Sequence, residues 1–112
     1  MKIKYQGKTI EIDVKSTSFL GKISGLMFRT QQTHNLYFEF PTTESAAIHS
    51  YFVFFPFMAL WLNEDDEIVD FQTVKPFTFL AKPRKPSRKL IEIPLNKENE
   101  KIVNLFVGKG KI

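Results

Sequence analysis

Cysteine is absent from the 112 residues. That excludes a disulfide framework, a thiolate zinc site and a cysteine nucleophile. Histidine is nearly absent: His34 and His49 show neither His-x-His nor His-x-x-x-His spacing, so no metal site and no cofactor are assigned. No hydrophobic run is long. The longest, Tyr51 to Leu62, is interrupted by Pro56 and falls short of the roughly 20 apolar residues that a bilayer span needs. The charged start Met1-Lys2-Ile3-Lys4-Tyr5 has no apolar region behind it, so no secretory signal and a cytoplasmic location are expected. Internal repeats, linkers and low-complexity segments are missing as well. What remains, 43% hydrophobic and 25% charged residues, is the composition of an ordinary globular chain. A single domain over residues 1–112 is expected.

Among the aromatics phenylalanine dominates, 12 against 3 Tyr and 1 Trp. Much of the chain alternates with period two. Ile3 and Tyr5, then Ile10, Ile12 and Val14, alternate with polar residues around a Gln6-Gly7-Lys8 break, which predicts a β-hairpin. Leu36, Phe38 and Phe40 predict a strand stopped by Pro41. The run from Tyr51 to Leu62 predicts a strand buried on both faces and bent at Pro56. Asn63 to Asp66 predicts a turn, and Glu67 to Val74 the return strand, with Val69 and Phe71 facing one way. Leu90 to Ile93 predicts a late strand, and Phe106-Val107-Gly108 a strand-like tail. Helical spacing is confined to a short segment over residues 18–27 and another over residues 97–103 capped by Asn96. The expected class is all-β or mainly β with minor α: a compact antiparallel β-sandwich or barrel-like domain with one or two short helices.

Two groups of residues carry candidate chemistry. Arg29, just past the end of the first predicted helix, suits an anion at a pocket rim, although a cation there is also favoured by the helix dipole. His49 is the best single candidate for a polar or acid–base role. The second group is the tract over residues 82–89, where Lys82, Arg84, Lys85, Arg88 and Lys89 make five of eight positions cationic and none is acidic. Sixteen cations less these five leaves eleven against twelve acids, so the formal charge of +4 belongs to this tract. It suits nucleic-acid phosphates, with Phe77 and Phe79 upstream as candidates for base stacking. The structural alternative is a proline-stiffened solvated loop that protects a sheet edge. The acids Glu64, Asp65, Asp66 and Glu67 lack the alternate spacing and glycine of a calcium loop and read as a solvated turn.

Gly25-Leu26-Met27-Phe28-Arg29, then Leu36-Tyr37-Phe38-Glu39-Phe40, then His49-Ser50-Tyr51-Phe52 leading to Pro56 come in an order that resembles the "domain of unknown function 192" family. Ile68-Val69, Pro76, Lys82-Pro83, Leu90-Ile91-Glu92-Ile93-Pro94 and Val107-Gly108 fit its second half. The likeness extends over about residues 10–112 and is closest to the archaeal branch. It implies a compact, mostly antiparallel β domain with short helices, and assigns no activity. Where the family pattern has an acid after Pro-apolar this chain has Met58, and where it ends in Gly-Asp this chain has Gly108-Lys109.

The leading functional expectation is a non-enzymatic domain that binds a small anionic ligand or a protein, with Arg29 and His49 as ligand-binding candidates. Nucleic-acid binding through residues 82–89 is the alternative, and a hydrolase-like enzyme using His49 ranks last. A monomer and a homodimer both remain open, since free strand edges and abundant Phe favour contact surfaces.

Overall fold

The computed structural model describes residues 1–16, 29–30, 32–41, 53–78 and 80–107. The helix expected over residues 18–27 lies outside them, as do His49 and Phe79. Strands β1 (Lys2–Tyr5) and β2 (Lys8–Glu11) form the expected antiparallel hairpin, with Ile3 opposite Ile10. Gln6 and Gly7 both turn through positive φ, at 49° and 77°, which gives the two-residue turn whose twist matches its strands.

A second sheet holds β3 (Lys15–Ser16), β4 (Leu36–Glu39), β5 (Phe57–Leu62), β6 (Ile68–Val74) and β7 (Lys89–Pro94). Their order is β3-β4-β7-β5-β6. Every pairing is antiparallel except the short contact of β3 with β4. One helix, α1 (Glu100–Val107), follows. The protein is therefore mainly β with minor α, as the alternation predicts. Among the described residues the sheet does not close into a barrel, because it ends at β3 on one side and β6 on the other.

The pleat divides β5 between two cores. Phe57, Ala59 and Trp61 join Leu36, Phe38, Val74 and Leu90 on one face, which is rich in aromatics. Met58, Leu60 and Leu62 join Ile91 and Ile93 on the other, where Ile3, Ile12 and Val103 cover them. All six residues of β5 are buried, as expected of a strand covered on both sides. Full burial contributes about 1.5–3 kcal/mol for each large apolar side chain.

The run before β5 departs from expectation. The strand starts at Phe57, after Pro56 rather than through it, because proline has no N–H for the ladder. Residues 53–56 form an irregular strap whose Val53 and Phe55 are buried in the aromatic core while Phe54 points to solvent. Its far end is pinned where the Leu95 N–H donates to the Pro56 carbonyl at 3.1 Å.

The turn into β6 is organised by Asn63, whose Oδ1 accepts from the N–H groups of Asp65 and Glu67, each at 2.9 Å. Leu62 then pairs with Ile68 and Trp61 with Asp70, which leaves Val69 as an extra residue in a β-bulge. This corrects the expected orientation of β6. Val69 packs with the aromatic core and Phe71 with the aliphatic one, since the inserted residue breaks the alternation between them.

The chain's last described segment also differs. Asn96 caps as expected, its Oδ1 accepting from the Asn99 N–H at 3.0 Å, but the helix begins only at Glu100. Phe106 and Val107 belong to that helix rather than to a strand-like tail. Packing favours this: from the helix Phe106 reaches the rings of Tyr5 and Phe71 at 4.8 and 5.2 Å.

Candidate functional site

The basic tract belongs to the irregular segment of residues 75–88, which runs from the end of β6 to the start of β7 along the aromatic face. Three anchors fix its path. Ala81 is buried in the aromatic core. The Gln72 side chain donates to the Lys82 carbonyl at 2.7 Å. The Arg84 N–H donates to Asp70 Oδ2 at 2.8 Å, and its guanidinium Nε donates to Oδ1 at 2.9 Å. Asp70 and Gln72 can reach this segment because the bulge at Val69 sets them on this face.

Three of the five cations are occupied by acids. Arg84 pairs with Asp70, whose side chain is fully buried. Arg88 donates to Glu64 Oε1 at 3.0 Å and to the Phe40 carbonyl at 3.0 Å. Lys89 donates to Asp66 Oδ1 at 3.0 Å and to the Glu64 carbonyl at 3.2 Å. The acidic turn expected to be merely solvated is thus the counter-charge that docks the tract's end onto the β5–β6 hairpin. Among the described residues nothing pairs with the exposed side chains of Lys82 and Lys85. Arg29 is half-buried ahead of β4.

Large apolar side chains lie in the open, two of them shortly before these lysines in sequence and one in the strap. Phe54, Phe77 and Leu80 are 61%, 53% and 53% exposed. The rings of Phe54 and Phe77 meet edge to face at 5.5 Å. Phe77 has φ of 60°, a conformation costly for a bulky residue without compensation. The sequence marked Phe77 as a contact candidate and missed Phe54, which it assigned to a covered strand.

Two carboxyls on the aromatic face were also missed. Burial alone would raise the Asp70 pKa, but the Arg84 guanidinium and N–H, with Gln72 and the Phe71 N–H, hold it below the ordinary aspartate value. Glu92, on central strand β7, lies between Leu36 and Ala59. It is buried, its Oε1 has no hydrogen-bond partner among the described residues, and burial pushes its pKa up to about 8. Burial thus favours its neutral form, a carboxylic acid able to donate a hydrogen bond. On the opposite face, the Tyr37 hydroxyl donates to Glu39 Oε1 at 2.7 Å, and burial followed by that carboxylate raises its pKa. Among the described residues no group of three or more metal-ligating side chains converges.

These features define a small mainly-β domain with a neutral acid at the centre of one sheet face and exposed aromatics at its margin. The chain belongs to the DUF192 family, described as "Uncharacterized ACR", whose sequence pattern matches residues 1–104. It is 33% identical over 92 residues to a UPF0127 protein of Pyrococcus furiosus, covering 80% of this chain and 78% of that one. It is also 33% identical over 93 residues to a UPF0127 protein of Thermococcus kodakarensis, where 80% of this chain matches but only 59% of the relative. Two solved structures share the fold. One, described as a candidate transcription regulator from Sinorhizobium meliloti 1021, has a TM-score of 0.68 at 20% identity, over 83% of this chain and 76% of that one. The other, a protein of unknown function from Novosphingobium aromaticivorans, has a TM-score of 0.63 at 15% identity, over 91% and 75%. The family and the fold are as the sequence motifs imply, and none of these relatives assigns a specific function.

Proposed function

We propose that this protein is a non-enzymatic interaction domain that docks a partner polypeptide on Phe54, Phe77 and Leu80. The observation that carries this is Phe77, held outward by a strained backbone and paired with a second exposed ring. A fold that needs only internal packing gains nothing from two such rings in water, whereas aromatic anchors dominate protein interfaces. Lys82 and Lys85, close to Phe77 and Leu80 in sequence and without acidic partners among the described residues, suit a partner segment with carboxylates beside its apolar side chains. A cytoplasmic setting is part of this proposal, supported by the cysteine-free sequence. Among the described residues no helix is long and apolar enough to cross a membrane.

The test is site-specific photocrosslinking. A benzophenone side chain at position 77 captures one polypeptide in extract of the source cells, and Phe54→Ser weakens that capture. The same group placed at Leu105, exposed on α1, serves as the control. Equal capture from both positions overturns the reading.

One observation favours a second reading, binding of single-stranded nucleic acid: an exposed ring and unpaired lysines come close together in sequence. Against it, Arg84, Arg88 and Lys89 already hold carboxylates. A titration with a single-stranded oligonucleotide at two salt concentrations separates the two. Nucleic-acid binding predicts an affinity strongest at low salt and reduced by Lys82→Ala and Lys85→Ala.

A further inference from the structure

We infer that Arg84, held in place by the buried Asp70, is the residue with which the docking surface recognises a carboxylate of its partner, while Lys82 and Lys85 supply the attraction. The inference rests on the docking reading for the nature of the partner, a polypeptide.

Arg84 differs from the other paired cations of its tract. The side chains of Arg88 and Lys89 are 37% and 12% exposed, and their bonds dock the tract's end onto the β5–β6 hairpin. The Arg84 side chain is 77% exposed, although that of its partner Asp70 is at 0%. One member of this ion pair is thus built into the fold, and the other stands in solvent.

The buried member is firmly set. Asp70 Oδ1 accepts from the Phe71 N–H of its own strand at 2.8 Å. Its Oδ2 accepts from the Arg84 N–H at 2.8 Å and from the Gln72 side chain at 3.3 Å. Gln72 also donates to the Lys82 carbonyl at 2.7 Å. Two side chains of β6 therefore fix the backbone at positions 82 and 84.

The guanidinium is set by the same carboxylate. Its Nε and Nη2 both donate to Asp70 Oδ1, which commits one edge of the fork. A guanidinium has five N–H donors, and the other three have no partner among the described residues. The Nη1–Nη2 edge is left with two parallel N–H groups, the spacing that matches the two oxygens of a carboxylate. With its first edge locked, the side chain has little rotamer freedom left to lose on binding.

The charges favour an acidic polypeptide over nucleic acid. Arg84 and Asp70 cancel, so the fork contributes direction rather than net charge. Lys82, two residues before, and Lys85, the next residue, are exposed and have no acidic partner among the described residues, and they give the surface its positive sign. A run of phosphodiesters would call on further cations along the tract, where Arg88 and Lys89 already hold Glu64 and Asp66.

The test titrates the ¹⁵N-labelled full chain with hexaglutamate at low and high salt and follows the Arg84 Nε–H resonance. That resonance is expected to shift on binding, and binding is expected to be tighter at low salt. Arg84→Lys keeps the charge and loses the fork. It is expected to weaken binding about tenfold, the worth of one charge-assisted hydrogen bond. Asp70→Asn adds one net positive charge yet releases the guanidinium, and weaker binding is expected there too. A surface that acts by charge alone leaves the affinity of Arg84→Lys unchanged and tightens that of Asp70→Asn; either result overturns the inference. So does an Nε–H resonance that hexaglutamate leaves unmoved, including the case where a single-stranded oligonucleotide shifts it instead. Should a variant not fold, the wild-type resonance decides. The docking reading fails separately: equal photocrosslinking from positions 77 and 105 removes it and leaves the result at Arg84 standing.

Discussion

Asp70 and Glu92 lie on the same face of the same sheet, and their surroundings drive them to opposite protonation states. At the rim, β6 borders an irregular segment whose backbone N–H and arginine turn inward onto Asp70. At the centre, β7 is enclosed by strands on both sides, and among the described residues Glu92 Oε1 has no hydrogen-bond partner. Burial pushes both carboxyls upward in pKa, so depth does not distinguish them. What distinguishes them is whether the neighbouring chain has backbone and side-chain donors to spare. A rim can supply these from a loop, and the interior of a sheet cannot, because its N–H groups are committed to the ladder.

The contrast can be broken or sharpened experimentally. The largest effect is expected from Trp61→Ala, which removes the buried ring opposite Asp70 on the face that Glu92 shares. The cavity should cost about 3–5 kcal/mol in urea unfolding, and water entering it should bring the Glu92 titration back toward the ordinary range. Next is Glu92→Leu. Because the folded pKa is raised, the contribution of Glu92 to stability is fully present below pH 4.5 and is lost as pH rises toward about 8. Glu92→Leu should abolish that limb and raise stability at pH 8 by roughly a few kcal/mol, read from unfolding midpoints across pH.

Asp70→Asn has the opposite sign. A depressed pKa contributes stability above the ordinary aspartate value of 3.8, lost as pH falls through the folded value. The variant should flatten the acid limb and cost about 1–3 kcal/mol at neutral pH, because the donors of Arg84 lose their charged acceptor. The smallest effect should come from Phe77→Gly. Glycine adopts positive φ without strain, so stability should change by no more than about 1 kcal/mol, in the stabilising direction, while capture of a partner is lost. A loss of several kcal/mol would place Phe77 in the core instead.

The sequence made the frame of this fold legible where one rule acted alone. Alternation located β1, β2, β4 and β7, and the motifs from Gly25 to Gly108 pointed to the family. It misled where a second constraint intruded. Pro56 sits inside an unbroken apolar run, and hydropathy cannot say that the ladder begins after it. Val69 is one residue too many, and a bulge leaves no signal in composition. Phe106 looked like strand because a helix of eight residues shows barely two turns of periodicity. The candidate site was less legible still. The cationic tract was evident, but its pairing with Glu64, Asp66 and Asp70 joins positions 14 to 25 residues apart, which spacing does not reveal. Glu92 reads as the polar member of an alternating strand, and only the strand order shows that both faces are covered.

That order has a consequence for biosynthesis. The strand at the centre of the sheet, β7, is the last of the described strands to leave the ribosome. Until residues 89–94 emerge, β4 presents one open edge and the β5–β6 hairpin another, each with unpaired amides and apolar side chains. The sheet cannot grow strand by strand from the N-terminus; it closes in one late insertion. A nascent chain stalled before Lys89 should therefore be a substrate for chaperones and proteases, while release of a few residues more would convert it into a protected domain.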